Sequence, residues 1–280
     1  MAELRHLVLV LGDQLDAESA AFEGFDPACD AVLMIEAAGE STHVWSHKAR
    51  SALFLSAMRH FAQDLRARGW TVDYRALGDD AEAALVDILA ARLAQHRPRK
   101  LVLVEPGEWR LERAIRVRCS DSGMTLDMRD DLHFMMSRQG FADWARKYKQ
   151  PRMEFFYRHM RERHAVLMEG GEPAGGRWNF DAENRKPPAV GLKGPKRISH
   201  AKDAITTSVL AMVEQRFATH MGSLENFHFA VTAGQAEIEL HKMQSLAEQD
   251  VKAVAQDMQR YEQRQMDELG VMQFNLGNSA

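Results

Sequence analysis

The run His6-Leu7-Val8-Leu9-Val10-Leu11, broken by Gly12-Asp13-Gln14, decides the fold. Its apolar residues do not alternate with polar ones, so both faces of the strand they form are buried, as in the middle of a parallel sheet. Outward from it, Ala31–Ala37 (AVLMIEA) and Lys100–Val104 (KLVLV) read the same way, the latter closed by Pro106 and Gly107. Thr71–Leu77 alternates and suits a strand nearer an edge; Thr125–Met128 is a weaker fifth strand. Between the strands, apolar residues step by three and four. His43–Arg68 predicts one long amphipathic helix ended by Gly69. Asp80–Gln95 predicts a second helix with Asp79 as its N-cap. Glu108–Cys119 is a third, and Phe141–Arg163 is mostly helical with a break at Pro151. Strands alternating with helices make βαβ units, and right-handed crossovers put helices on both faces. The expectation is an α/β fold with a five-stranded parallel sheet in the order 3-2-1-4-5.

In such a sheet a ligand lies beyond the carboxyl ends of the strands, where the strand order reverses between the first and the fourth. Those ends are Gly12-Asp13-Gln14-Leu15 and Glu105-Pro106-Gly107-Glu108. Neither GxGxxG nor GxxxxGK[ST] occurs, which removes the usual dinucleotide fingerprint and P-loop phosphoryl transfer. A carboxylate and an amide in a short loop suit a flat heterocycle with several donors and acceptors. Asp13 equally suits the cap of a following helix, and position alone favours that reading. Glu36 closes the second buried strand, where an acidic residue either meets a ribose hydroxyl or is simply a solvated strand end. Glu108 fits a helix N-terminus through the dipole. Ser46-His47-Lys48 looks nucleophilic only superficially, because helix neighbours point in different directions.

The 280 residues carry a net charge of −4, which gives no whole-protein attraction to a polyanion. Two cysteines, Cys29 and Cys119, stand far apart with no CxxC; they read as free thiols and cannot supply a four-cysteine metal site. The N-terminal apolar run is too short for a signal peptide, and no stretch approaches a membrane span, so a cytoplasmic protein is expected. Residues 169–197 hold six glycines and four prolines and read as a basic linker. Ile198–Phe217 looks helical, and Leu240–Leu269 carries a short heptad seam (Ala247, Val251, Val254, Met258, Tyr261) suited to a partner helix. The expected division is a domain over 1–168, the linker over 169–197, a helical segment over 198–270 and a frayed tail over 271–280. The aromatic residues of 153–158 read as core or interface packing rather than a base-stacking platform. Trp178 and Phe180 read as pins that dock the linker on the body.

Five strings, in order, resemble one family closely: LGDQL (11–15), SHKARSALFLSAMRHFA (46–62), EPGEWR (105–110), GFADWARKYKQPRMEFFYRHMR (140–161) and GGRWNFDAENRKP (175–187). They look like the prokaryotic photolyase-related proteins, the iron–sulfur bacterial cryptochromes and (6-4) photolyases. The resemblance runs from about His6 to about Thr232. It implies a Rossmann-like antenna domain that binds 6,7-dimethyl-8-ribityllumazine at the switch-point crevice, with Gly12, Asp13, Gln14, Leu15 and Glu36 at the matching positions. It also implies a helical half that holds FAD and a four-cysteine [4Fe–4S] cluster and flips a lesion out of damaged DNA. The cluster cysteines have no counterpart here, and after about Gln235 the resemblance ends. The expectation is therefore a chain that supplies the light-harvesting half, without FAD or cluster and with no catalytic residue to assign. The alternatives are a stand-alone photosensor or interaction module, and a ligand-free remnant.

Overall fold

The computed structural model describes residues 4–78, 83–179, 198–243 and 245. In chain order its elements are β1 (His6–Val10), β2 (Asp30–Ile35), α1 (Ala38–Thr42), α2 (Lys48–Ala67), β3 (Val72–Arg75), α3 (Leu85–His96), β4 (Lys100–Val104), α4 (Trp109–Asp121) and β5 (Thr125–Arg129). Then come α5 (Arg138–Ala145), α6 (Met153–His164), a hairpin of β6 (Met168–Glu169) and β7 (Glu172–Pro173), and α7 (Ala204–Arg216). Residues 233–243 are also helical. The five-stranded sheet has the order β3-β2-β1-β4-β5, as the strand pattern predicts, with the alternating strand β3 at an edge. β1 pairs in parallel with β4, His6 facing Lys100 and Val8 facing Val102, and β4 pairs in parallel with β5. The expected cap Asp79, the expected pin Phe180 and all five seam residues lie outside the described residues. No helix among the described residues is long and apolar enough to cross a membrane.

The chain forms two compact units, one of residues 1–33 and 89–194, the other of residues 34–88 and 195–280. In the first, Leu7 to Leu11, Ala31 to Leu33 and Leu101 to Val104 are buried, joined by Leu111, Ile115 and Cys119 of α4. These are the runs without alternation, and burial on both faces is the reason they lack it. Helices α5 and α6 are separate, with Pro151 between them. α6 ends where Ala165 enters the left-handed region at φ 53°. Gly170 and Gly171, at φ 57° and 88°, make the two-residue hairpin turn, a turn that needs positive φ at both positions. The buried Arg161 donates from Nε to the Val166 carbonyl at 3.2 Å and from Nη2 to that of Leu167. The Trp178 ring lies 5.1 Å from the Arg161 guanidinium and 5.5 Å from that of Arg158, so this Trp does dock.

In the second unit, α2 packs along α7, with Ala52, Val209 and Val213 fully buried. The long helix expected from His43 begins only at Lys48. His47 is its N-cap, Nδ1 accepting from the Ala49 N–H at 3.0 Å. Val44 and Trp45 are 63% and 62% exposed and do not belong to the apolar stripe. Lys48 is buried and meets Glu214 at 2.7 Å. α7 begins at Ala204, not Ile198, because Asp203 accepts from the Thr206 N–H and starts the helix there. His60 of α2 has Nδ1 on the Ser56 carbonyl at 2.8 Å and Nε2 on Asp203 Oδ2 at 2.5 Å.

Burial works against the charge of Asp203, but the hydrogen bonds from His60 and from the Thr206 N–H prevail and bring its carboxyl down to about 2. An unfolded aspartate titrates near ~3.9. The folded value is depressed, so this contact stabilises fully above that pH and is lost as pH falls through about 2. A carboxyl-carbon NMR titration is expected to give Asp203 a midpoint near 2. A midpoint near ~3.9 would mean that the pair does not hold in solution.

Candidate functional site

The site of the first unit is built on the carboxyl ends of β1 and β4. β1 ends in a turn over Gly12 and Asp13, closed by the Gln14 N–H on the Leu11 carbonyl at 3.0 Å. Gln14 is buried, and its Nε2 donates to the Glu105 carbonyl at 2.9 Å. One amide thus ties the loop after β1 to the end of β4. Asp13 is exposed and stands over Gly107: a methyl group there would be 3.5 Å from Asp13 Oδ2. No helix follows Asp13, since the next helical turn starts at Ala20 and is capped by Ser19. Asp13 therefore caps nothing, contrary to the reading that position alone favoured. Gly12 and Leu15 are half-buried.

Sequence reasoning missed Arg138. It meets Glu105 at 3.2 Å and Glu112, and donates to the Pro106 carbonyl. It thereby clamps the loop after β4 from the start of α5. Arg116 holds the other oxygen of Glu112 at 2.9 Å. Burial opposes the charge on Glu112, but the two arginines overcome it and hold the carboxyl below the ordinary range. Nothing in the local pattern signals Arg138, which lies 26 residues from Glu112 and 32 from Pro106. Glu108 is the N-cap residue of α4 but makes no side-chain cap, pairing instead with Arg110 at 2.6 Å.

The rim of this edge is apolar. Trp109 is 70% exposed after β4, and Leu132, Phe134 and Met135 are exposed after β5. His133, among them, reaches Asp16 of the β1 loop at 3.7 Å. Two acceptors remain open beside this rim. No donor among the described residues meets the Asp13 carboxylate or Gln14 Oε1. A ligand for such an edge offers donors to those two acceptors and a flat apolar body to the rim.

In the second unit, Glu36 is completely buried at its side chain. Its Oε1 accepts from Arg59 Nε at 2.7 Å and from the Tyr74 hydroxyl at 2.5 Å. Its Oε2 accepts from Arg59 Nη2 at 2.9 Å and from the Leu77 N–H at 2.7 Å. A carboxylate has about four acceptor positions, and all are filled by protein donors. The expectation of a solvated strand end or a free ribose acceptor is corrected accordingly: Glu36 fixes α2, β3 and the residues after β3. Burial and the neighbouring carboxylate raise the Tyr74 phenol far above its usual range, so it stays a donor. Ser46-His47-Lys48 is likewise structural, since His220 Nδ1 meets the Ser46 carbonyl at 3.1 Å.

Residues 8–229 match the family described as deoxyribodipyrimidine photo-lyase-related protein. A protein of Agrobacterium fabrum (strain C58 / ATCC 33970) named (6-4) photolyase is 40% identical over 235 residues, covering 84% of this chain. The chain spans 46% of that relative's length.

Proposed function

The chain belongs to the deoxyribodipyrimidine photo-lyase-related family, and from that premise we propose that it serves light-dependent DNA repair as the antenna half of a photolyase. The ligand is 6,7-dimethyl-8-ribityllumazine, and the contacts are Gly12, Asp13, Gln14 and Leu15. One observation carries the reading: Asp13 and Gln14 present two open acceptors at the switch point, beside exposed apolar residues. The ribityl hydroxyls and the ring N–H of a lumazine supply donors, and its dimethylated ring matches the apolar rim. When bound, the pigment absorbs light and passes on the excitation. The residues orient it: the Gln14–Glu105 bond fixes the amide, and Arg138 holds the β4 loop. Glu36, with its carboxylate saturated, is proposed to hold its own strand end rather than the pigment. Flavin and iron–sulfur chemistry is assigned to no residue of this chain.

The test is an absorption spectrum of the purified chain, with the released pigment identified by mass. A lumazine is the expected pigment. Asp13→Ala and Gln14→Ala are each expected to weaken its binding by about 1–3 kcal/mol, the effect of an unmatched polar group in the site. Retention unchanged in both variants would place the pigment elsewhere. Bound FAD would return the flavin reading, and a chain that stays colourless when lumazine is added would be a ligand-free remnant.

A further inference from the structure

Residues 146–163 carry seven Arg and Lys against two Glu, in a chain whose net charge is −4. The stretch from 146 to 155, between α5 and the first turn of α6, is exposed throughout. Aromatic rings are set into it. Trp144 is buried and anchors the cluster, with its ring 4.9 Å from Phe156 and 4.8 Å from Tyr148. Tyr148 in turn lies nearly parallel to Phe155, at 6.0 Å and 28°. These two outer rings are 39% and 37% exposed. Lys147 and Lys149 flank Tyr148 and have no acidic partner among the described residues. The Arg152 guanidinium sits 5.9 Å from the Phe155 ring. The 153–158 aromatics are therefore only partly core: Phe156 faces Trp144, whereas Phe155 is presented outward.

We infer that this face of α5 and α6 is a platform for single-stranded DNA, on which Tyr148 and Phe155 stack against unpaired bases while Lys147, Lys149 and Arg152 neutralise the flanking phosphates. Two exposed, nearly parallel rings bordered by unpaired cations combine the two elements that hold a single strand, a sequence-tolerant π surface and a charge track. A duplex fits this face less well, because its bases are already stacked on one another. The strip presents no buried polar side chain to single out a 2′-hydroxyl, so ribose is not selected. The surface shares no residue with the β1 crevice and does not depend on the pigment.

Fluorescence anisotropy of the full chain with an end-labelled oligo-dT of about 12 nucleotides tests it. Three phosphate contacts predict that log K falls with log salt at a slope of about −2, since each contributes about −0.7 on a single strand. The double variant Lys147→Gln, Lys149→Gln is expected to flatten that slope to about −0.7. Both lysines are exposed, so the fold is not at stake. Tyr148→Leu and Phe155→Leu, which keep the apolar contact but remove the ring, are each expected to weaken binding about tenfold. The proposal is overturned by an absence of binding at low salt or by unchanged affinity in these variants. Equal affinity for a duplex of the same length, or a tenfold preference for RNA, overturns it too. So does a chain that self-associates in sedimentation and is made monomeric by Tyr148→Leu, because the face would then be a protein interface.

Discussion

Glu36→Ala is expected to lower the unfolding free energy by about 3–5 kcal/mol, the effect of breaking a buried ion pair from one side. The substitution leaves the Arg59 guanidinium without its counter-charge and strands the Tyr74 hydroxyl and the Leu77 N–H, all of which converge on this one carboxylate. Arg59 is only 21% exposed at its side chain, so water replaces the lost partner poorly. Glu36→Gln keeps the shape and one acceptor oxygen but turns the other into a donor facing donors. It is expected to be nearly as damaging. Urea unfolding at neutral pH reads both variants. The midpoint should fall with little change in slope. A loss below about 1 kcal/mol would mean that Arg59 and Tyr74 reach solvent when the carboxylate is gone.

Gly222→Ala is the second large effect, at about 2–3 kcal/mol from two sources. Gly222 has φ +90°, a conformation that an L side chain rarely adopts. A methyl group there would also stand 1.8 Å from His47 Nε2. The imidazole must leave, and with it goes the bond to the Ala49 N–H that starts α2. Thermal unfolding of Gly222→Ala, His47→Ala and the double variant separates the two. If expulsion of the ring matters, the double variant loses less than the sum of the single ones. Strict additivity would leave backbone strain as the whole effect.

The sheet was legible because burial on both faces of β1, β2 and β4 requires uninterrupted apolar runs, and each of these is short and rich in β-branched residues. Their order then pointed to the loop over Gly12–Leu15 as the crevice. What fills the acceptors was not legible. Gln14 finds its carbonyl 91 residues away, Glu36 its tyrosine 38 residues away, and His60 its aspartate 143 residues away. No periodicity reports on pairs that only the fold brings together. The start of α2 was misread for a local reason: Trp45 continues the helical spacing of apolar residues, yet it is exposed, and the side chain of His47 sets the true first turn. The 153–158 cluster was half legible, since its spacing gives a helix but not which rings face inward.

The parallel pairing of β1 with β4 has a consequence for the chain as it is made. His6 faces Lys100, so this central strand has one open edge until residues 100–104 have left the ribosome. At about 5–20 residues per second, that interval lasts roughly 5–20 seconds. During it, the apolar residues 7–10 form a hydrogen-bonding template with no polar residue among them to discourage other chains. Yield in a cell should therefore respond to translation speed and to chaperones that shield nascent strands. Variants that weaken β4, nearly a hundred residues downstream, should show their harm first as aggregation of newly made chains.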